Sequence, residues 1–338
     1  MHPALSLAAA LSAFAILLVG CAGASESDHG ERRIPVPGLL VFTVGVDLWI
    51  QDDEGPRLLI AAGQEQQLLH PAISPDGTQV AYVVFQLTHA EGATIGTDLA
   101  VSNINEPTQR TVVARDGAAE FVWNPRWTPD GHALIFTHEP VAEPISVKRL
   151  DLRSGLIELL RADARDAAIS PDGARIVFVS APYSGDPHLV VRRLDDGFET
   201  VLDPERTWQP RPYRIPRFSA DGGSVLFSAG QYLPQVSAVA LGLNGPEDIW
   251  RVDLTSGELR QIAAVSEDQP DFTLSDDGRH ALVFGAFGTY LISTASLEPV
   301  FAVAPGEFHG WIDWLGTISD EEWAALRESV FERADATQ

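Results

Sequence analysis

The sequence has little cysteine and little positive charge. Its 338 residues include one cysteine, Cys21, so an internal disulfide bond is excluded. Lys and Arg number 23 against 47 Asp and Glu, which gives a formal net charge of −24. Nucleic acids and anionic lipid surfaces are bound through basic patches, so we expect neither as a partner. Apolar residues make up 45% of the chain, enough for a large core.

The cysteine stands at the end of an apolar run. The run covers residues 4–20 and ends in Leu-Val-Gly directly before Cys21, which resembles the bacterial lipobox. The resemblance implies a signal peptide over 1–20, cleavage before Cys21, a diacylglyceryl group on its thiol and a fatty acyl chain such as palmitate on its amine. Such chains, at roughly 0.8 kcal/mol per buried CH₂, hold a protein stably at a membrane. The alternatives are an uncleaved transmembrane helix and an ordinary secretory signal.

The chain after the anchor is expected to lie outside the membrane. Residues 21–37 are small, polar and proline-containing and predict a tether. No later stretch reaches the ~18 apolar residues that a membrane-spanning helix needs.

A repeated turn is the main pattern in the remainder. Ser or Thr opens each turn, the next residue is most often Pro, and Asp-Gly closes it. Pro fixes φ, Asp bonds the local backbone and Gly takes a positive φ. Apolar residues alternate on both sides, which predicts β-hairpins with one buried face. The turns are residues 74–77, 128–131, 170–173, 219–222 and 275–278.

The repeated aspartates resemble a carboxylate array for calcium. We favour the alternative that each one serves its own turn, because one aspartate per hairpin accounts for all of them. The residues concerned are Asp76, Asp130, Asp172, Asp221 and Asp277.

The strand count predicts a closed ring. Six third strands follow only five turn motifs, and residues 310–316 have the shape of the missing innermost strand. The run 39–43 lacks a strand before it, so pairing of 311–315 beside 39–43 closes the ring and removes the exposed sheet edges. The sequence therefore predicts an all-β fold, a six-bladed β-propeller over 38–316. A short C-terminal helix and tail follow over 317–338, opened by a Ser319–Glu322 capping box.

These repeats resemble those of the TolB-type β-propeller, a WD-repeat-like family of bacterial envelope proteins that also supplies the propeller domains of some peptidases. The resemblance covers residues 38–316 and implies the fold. We expect the chain to depart from TolB in carrying a lipid anchor where TolB has an α/β domain. Function is implied only by analogy, because propellers host many unrelated activities.

The candidate binding face is the one onto which a propeller gathers the loops that enter its innermost strands. Positions four residues before each turn are expected to ring one mouth of the channel, and loops 203–214 and 230–247 are long insertions on the same face. Aromatic and arginine side chains dominate many interfaces. The alternative is that these loops pack on each other and cap the channel. The candidate residues are His70, Asn124, Asp166, Trp208, Arg211, Tyr213, Arg214, Tyr232, Asp271 and Trp311, with Ile215 completing the ring.

The function predicted from these features is a non-enzymatic envelope lipoprotein. It is exported, anchored by lipid to the cell membrane or the outer membrane, and monomeric, and its propeller binds a protein or peptide. We expect no catalytic residue, metal or cofactor, because the chain has no Gly-x-Ser-x-Gly elbow, phosphate-binding glycine loop or zinc-ligand spacing. The alternative is a lyase-like propeller enzyme or a solute-binding protein that uses the polar channel mouth.

Overall fold

Six four-stranded antiparallel sheets make up the body of the protein. The computed structural model describes residues 36–86, 96–115, 119–141, 143–180, 187–203, 210–231, 247–267, 269–285, 288–295, 301–303 and 311–335. Each sheet is one blade, and blades A to F follow one another around a ring. The fold class predicted from the sequence, a six-bladed β-propeller, is confirmed.

Each blade runs from an innermost strand beside the channel to an outermost strand at the rim. Blade A contains, in that order, β24 (Ile312–Leu315), β1 (Leu39–Val44), β2 (Asp47–Asp52) and β3 (Gly55–Ile60), and blade B contains β4 (Gln66–Ile73), β5 (Gln79–Gln86), β6 (Thr97–Asn103) and β7 (Arg110–Val113). Blade C contains β8 (Glu120–Trp127), β9 (Ala133–Pro140), β10 (Ser146–Asp151) and β11 (Ile157–Ala162), and blade D contains β12 (Ala164–Ile169), β13 (Arg175–Ser180), β14 (His188–Arg193) and β15 (Glu199–Val201). Blade E contains β16 (Pro210–Phe218), β17 (Ser224–Gln231), β18 (Glu247–Asp253) and β19 (Leu259–Glu267), and blade F contains β20 (Asp271–Leu274), β21 (His280–Phe284), β22 (Thr289–Ser293) and β23 (Phe301–Val303).

Blade A joins the two ends of the propeller. Strand β24 pairs antiparallel with β1, and the register places Trp314 opposite Leu40 and Asp313 opposite Val41. The Trp314 indole N–H also donates to the carbonyl oxygen of Pro37 at 2.9 Å. The predicted pairing of the C-terminal strand beside residues 39–43 is confirmed.

Each repeated turn closes in the same way. In the first, the Gly77 N–H donates to the Ser74 carbonyl at 2.8 Å and Gly77 has a φ of 69°. The Asp76 carboxylate accepts bonds from the Ser74 hydroxyl and the Thr78 backbone, and these bonds lower its pKa. The other four turns repeat the hydroxyl-to-aspartate bond, which confirms the turn interpretation of the five aspartates.

The core lies between neighbouring blades. Val41 and Leu48 of blade A share one cluster with Val80 and Tyr82 of blade B, and all four are 0% exposed. Burial of a large apolar side chain stabilises a fold by roughly 1.5–3 kcal/mol. Inter-blade packing therefore holds each sheet at a fixed angle around the channel.

The innermost strands of blades B to E each contain a β-bulge. In β4, residues 70 and 71 lie between the pairs Leu69–Val83 and Ala72–Ala81, so two residues oppose one. Proline occupies the second bulge position in three of these strands, where the interrupted ladder needs no N–H. The first bulge residues have positive φ and are His70 (49°), Asn124 (49°), Asp166 (54°) and Ile215 (46°).

Helix α1 (Asp320–Asp335) follows the closing strand. The Ser319 N–H donates to Glu322 Oε2 at 2.8 Å and the Glu322 N–H donates to Ser319 Oγ at 3.2 Å, which confirms the capping box. Trp323 packs against the apolar cluster shared by blades A and F, and its ring centroid lies 4.5 Å from that of His280. Among the helices of the described residues, none is long and apolar enough to cross a membrane.

Candidate functional site in the central channel

All but one of the predicted ring residues belong to the innermost strands, which line the channel. His70 and Asn124 are in the interior of β4 and β8, Asp271 begins β20, and Trp311 precedes β24. In blades B and C the innermost strands begin four residues before these positions, at Gln66 and Glu120. That the positions ring one mouth of the channel stays a prediction.

One side of the channel is formed by blades C and D. The Asn124 amide donates to Asp166 Oδ1 at 2.6 Å, and Arg165 Nη1 donates to Asp166 Oδ2 at 2.5 Å. The backbone N–H of Asp166 is held by the Thr137 hydroxyl at 2.9 Å. Both carboxylate oxygens and the backbone N–H of Asp166 are thus hydrogen-bonded, and the residue is 5% exposed.

Two arginines approach Asp271 from different blades. Arg217 of blade E donates to Asp271 Oδ1 at 3.3 Å, whereas the nearest nitrogen of Arg126, on blade C across the ring, is 3.9 Å from Oδ2. Burial raises the pKa of Asp271 to about 6, and the positive charge of Arg126 opposes that shift. Asp271 is therefore ionised near neutral pH at a cost in desolvation.

Asp313 ties the closing strand to both neighbouring blades. Its Oδ2 accepts from the Ile73 N–H of blade B at 2.7 Å, and its Oδ1 accepts from the Thr273 hydroxyl of blade F at 2.7 Å. Burial raises the pKa of Asp313, while the Arg126 charge and these two bonds lower it. One carboxyl group thus links three blades.

His70 stands between two tryptophans. Its ring centroid is 4.4 Å from Trp311 and 5.7 Å from Trp123. Burial, then the charge of Arg126, lowers the pKa of His70 to about 3. The ring is therefore neutral at physiological pH and forms part of an aromatic wall.

The predicted loop residues have different outcomes. Trp208 and Tyr232 lie outside the described residues, as does the Arg211 side chain. Residues 210–214 belong to β16 and are not loop. The Arg214 side chain is half-buried, and its charge lowers the pKa of Asp271.

Tyr213 is a core residue. It is 2% exposed, its hydroxyl donates to Asp203 at 3.4 Å, and its ring lies edge-on to Phe227 at 5.7 Å. Tyr213 was predicted as a binding residue, but β16 directs its side chain into the core beside blade E.

Sequence reasoning missed Arg126, Arg217 and Asp313. All three occupy one repeat position, two residues before the turn or its equivalent, where blades B and D have Ala72 and Ala168. Charged residues at a repeat position that holds Ala or Thr273 in the other three blades are the signal that would have found them.

Among the described residues, no group of three or more His, Cys, Asp or Glu side chains is placed to hold an ion. The channel carboxylates instead accept hydrogen bonds from arginine, asparagine, threonine and the backbone. Chemically, the arrangement is a polar, arginine-rich lining with an aromatic wall.

Comparisons with solved structures show which known proteins have a similar fold. TolB from Acinetobacter baumannii superposes with a TM-score of 0.59 at 17% identity, covering 83% of this chain and 67% of that one. A structure assigned as TolB from Agrobacterium tumefaciens gives 0.50 at 18% identity, with 66% and 76% covered. The tricorn protease gives 0.50 at 11% identity, with 82% and 34% covered. The sequence matches no protein-family model and no curated protein. The chain therefore has the fold of a TolB-type six-bladed β-propeller.

Proposed function

We propose that this protein is a non-enzymatic, exported and lipid-anchored binding protein that holds a segment of a protein or peptide partner in its channel. The observation that supports the proposal is the presence of unsatisfied hydrogen-bond donors on two channel arginines. Arg126 Nε and Arg165 Nε are buried, and neither has a hydrogen-bond partner among the described residues.

Buried hydrogen-bond donors that have no partner favour the binding of a ligand. A buried donor left unsatisfied costs about 1–3 kcal/mol, and a bound acceptor recovers that energy. Buried polar groups in proteins are otherwise nearly always paired. The two donors therefore support a channel that is completed by something bound in it.

The aromatic wall supports a peptide as the occupant. Trp123 and Trp311 flank the neutral His70 ring, so apolar contact area lies beside the arginine donors. Aromatic and arginine side chains together are the residue types that dominate protein and peptide interfaces. A rigid ring also binds without the entropy cost of ordering its own backbone.

The lyase-like alternative has less support from the site. The fold itself is compatible with either class, since propellers carry both binding and catalytic activities. A metal-assisted reaction needs carboxylate or imidazole ligands open to the ion. Asp166 and Asp271 are each held by an arginine, which supports binding as their role.

Export and anchoring rest on the sequence. The apolar run before Cys21 and the polar tether after it are the features that support them. A lipid chain on Cys21 keeps the propeller near a membrane, and its acidic surface limits adhesion to anionic headgroups.

The test is peptide selection followed by cross-linking. The purified full chain is used to select linear peptides from a displayed library, and the selected peptides are resynthesised with a photoreactive residue. We expect cross-links at Trp123, Trp311, Arg165 and Arg214. Cross-links confined to Asp76, Asp130, Asp172 and Asp221 would place binding on the turn face and refute the channel. Failure to select any saturable binder would refute the binding function.

A further inference from the structure

The channel concentrates positive charge in an otherwise acidic protein. The chain has a formal net charge of −24, yet four arginines, Arg126, Arg165, Arg214 and Arg217, meet in the channel. They face three aspartates, Asp166, Asp271 and Asp313. With all of them ionised, one positive charge is in excess.

In the described residues, Arg165 and Arg217 donate to carboxylates and Arg126 and Arg214 do not, and of these last two only Arg126 has a buried nitrogen without a partner. Asp166 accepts bonds from Asn124 and Arg165, and Asp271 accepts one from Arg217. Both oxygens of Asp166 are therefore occupied, and Asp271 Oδ1 also accepts from the Phe272 N–H, whereas Asp271 Oδ2 faces Arg126 at 3.9 Å, beyond hydrogen-bond distance. Within the described residues, the guanidinium of Arg126 makes one hydrogen bond, from Nη1 to the Pro125 carbonyl at 3.1 Å, and only a long ion-pair contact with Asp271.

The unused edge of Arg126 has a defined shape. Its Nε is buried and has no partner in the described part of the chain, and its Nη2 is 3.9 Å from the nearest carboxylate oxygen. These two nitrogens form the side-on fork that pairs with both oxygens of a carboxylate. The side chain is only 16% exposed, so a bond made here is weakly screened by water.

We propose that the channel binds a carboxylate group of its ligand and that the Nε–Nη2 edge of Arg126 is the principal contact, an inference that rests on the binding function proposed above. A carboxylate matches the fork in geometry and the single excess charge in magnitude. A phosphate dianion fits less well, because its second charge would face Asp271 and Asp313. Two sources supply the same group: the C-terminus of a peptide and an acidic side chain.

The experiment titrates the full chain with matched small probes and follows binding by ligand-observed NMR. N-acetylglycine represents a peptide C-terminus and N-acetylglycinamide is its neutral control. N-acetylaspartic acid amide represents an acidic side chain and N-acetylasparaginamide is its neutral control. We expect at least one carboxylate to bind saturably and about tenfold or more tighter than its amide, which corresponds to about 1.4 kcal/mol. The stronger of the two carboxylates identifies the source.

The variants locate the contact. Arg126→Gln should weaken carboxylate binding about tenfold or more, whereas Arg193→Gln, at an exposed arginine paired with Asp195, should change it by less than about twofold. If Arg126→Gln does not fold, Arg126→Lys keeps the charge but loses the fork, and its loss should exceed that of the Arg193 control.

The proposal is overturned by equal binding of acid and amide, by inorganic phosphate binding more tightly than either carboxylate, or by undiminished binding in the Arg126 variants. Peptides that cross-link to the channel but bind Arg126→Gln as tightly as the native chain would overturn this inference alone. Carboxylate binding without any selected peptide would overturn only the peptide-binding function.

Discussion

Replacing Asp313 by alanine should weaken the whole ring, because this side chain connects the closing strand to two other blades. The change removes two bonds of 2.7 Å, one from the Ile73 N–H and one from the Thr273 hydroxyl. Hydrogen bonds to a charged group contribute about 1.5–3 kcal/mol each. The desolvation of the carboxyl, which raises its pKa, offsets part of this gain. We expect a net loss of about 2–4 kcal/mol in the free energy of unfolding.

Urea denaturation near neutral pH measures this loss as a shift of the midpoint at an unchanged m-value. Asp313→Asn keeps one accepting oxygen and should recover about half of it. The matched control is Asp52→Ala, which breaks an exposed ion pair with Arg57 and should cost less than about 1 kcal/mol. If Asp313→Ala is no more costly than Asp52→Ala, the carboxyl does not join the blades and the reasoning fails.

Three further predictions concern the anchor, the ring closure and the channel. Cys21→Ser should release the protein from the membrane fraction, and an intact mass showing an unmodified Cys21 in the native protein would contradict the lipobox interpretation. Deleting residues 311–338 should lower the unfolding midpoint far more than deleting 317–338, because only the longer deletion removes β24; equal midpoints would speak against closure by this strand. The pKa of Asp271, raised from 3.8 to about 6, means that the native state favours its neutral form. This stabilisation of the native state is complete below the pKa that Asp271 has in the unfolded chain and is lost as the pH rises through about 6. Because Asn does not titrate, the free energy of unfolding of Asp271→Asn should rise relative to that of the native chain by up to about 3 kcal/mol between about pH 4 and pH 7.5. Urea midpoints at both pH values measure this change. The same difference in stability between the variant and the native chain at both pH values would contradict this prediction.

The repeat made the fold predictable. Turn residues such as Ser74, Asp76 and Gly77 act through bonds within a few residues, so their pattern is visible in any one copy. Counting third strands against turns then predicted that β24 pairs with β1, although the two are far apart in the chain. Local turn chemistry and a closed ring together leave little freedom in the topology.

The site was only partly predictable. His70, Asn124, Asp166 and Asp271 were found from their repeat position, because equivalent positions of a ring face the same axis. Tyr213 was misjudged, since aromatic composition near a loop does not show whether a side chain points into a blade.

The sequence by itself determined the number of blades, the turns, the closing strand and the helix cap, because each depends on local chemistry or on counting repeats. Only the tertiary structure decided which charges meet in the channel. Arg126 and Asp271 belong to opposite blades and are brought within 3.9 Å by closure of the ring. Whether a given arginine is matched or left with an open edge depends on distances across that ring, and one repeat unit contains no information about its opposite neighbour.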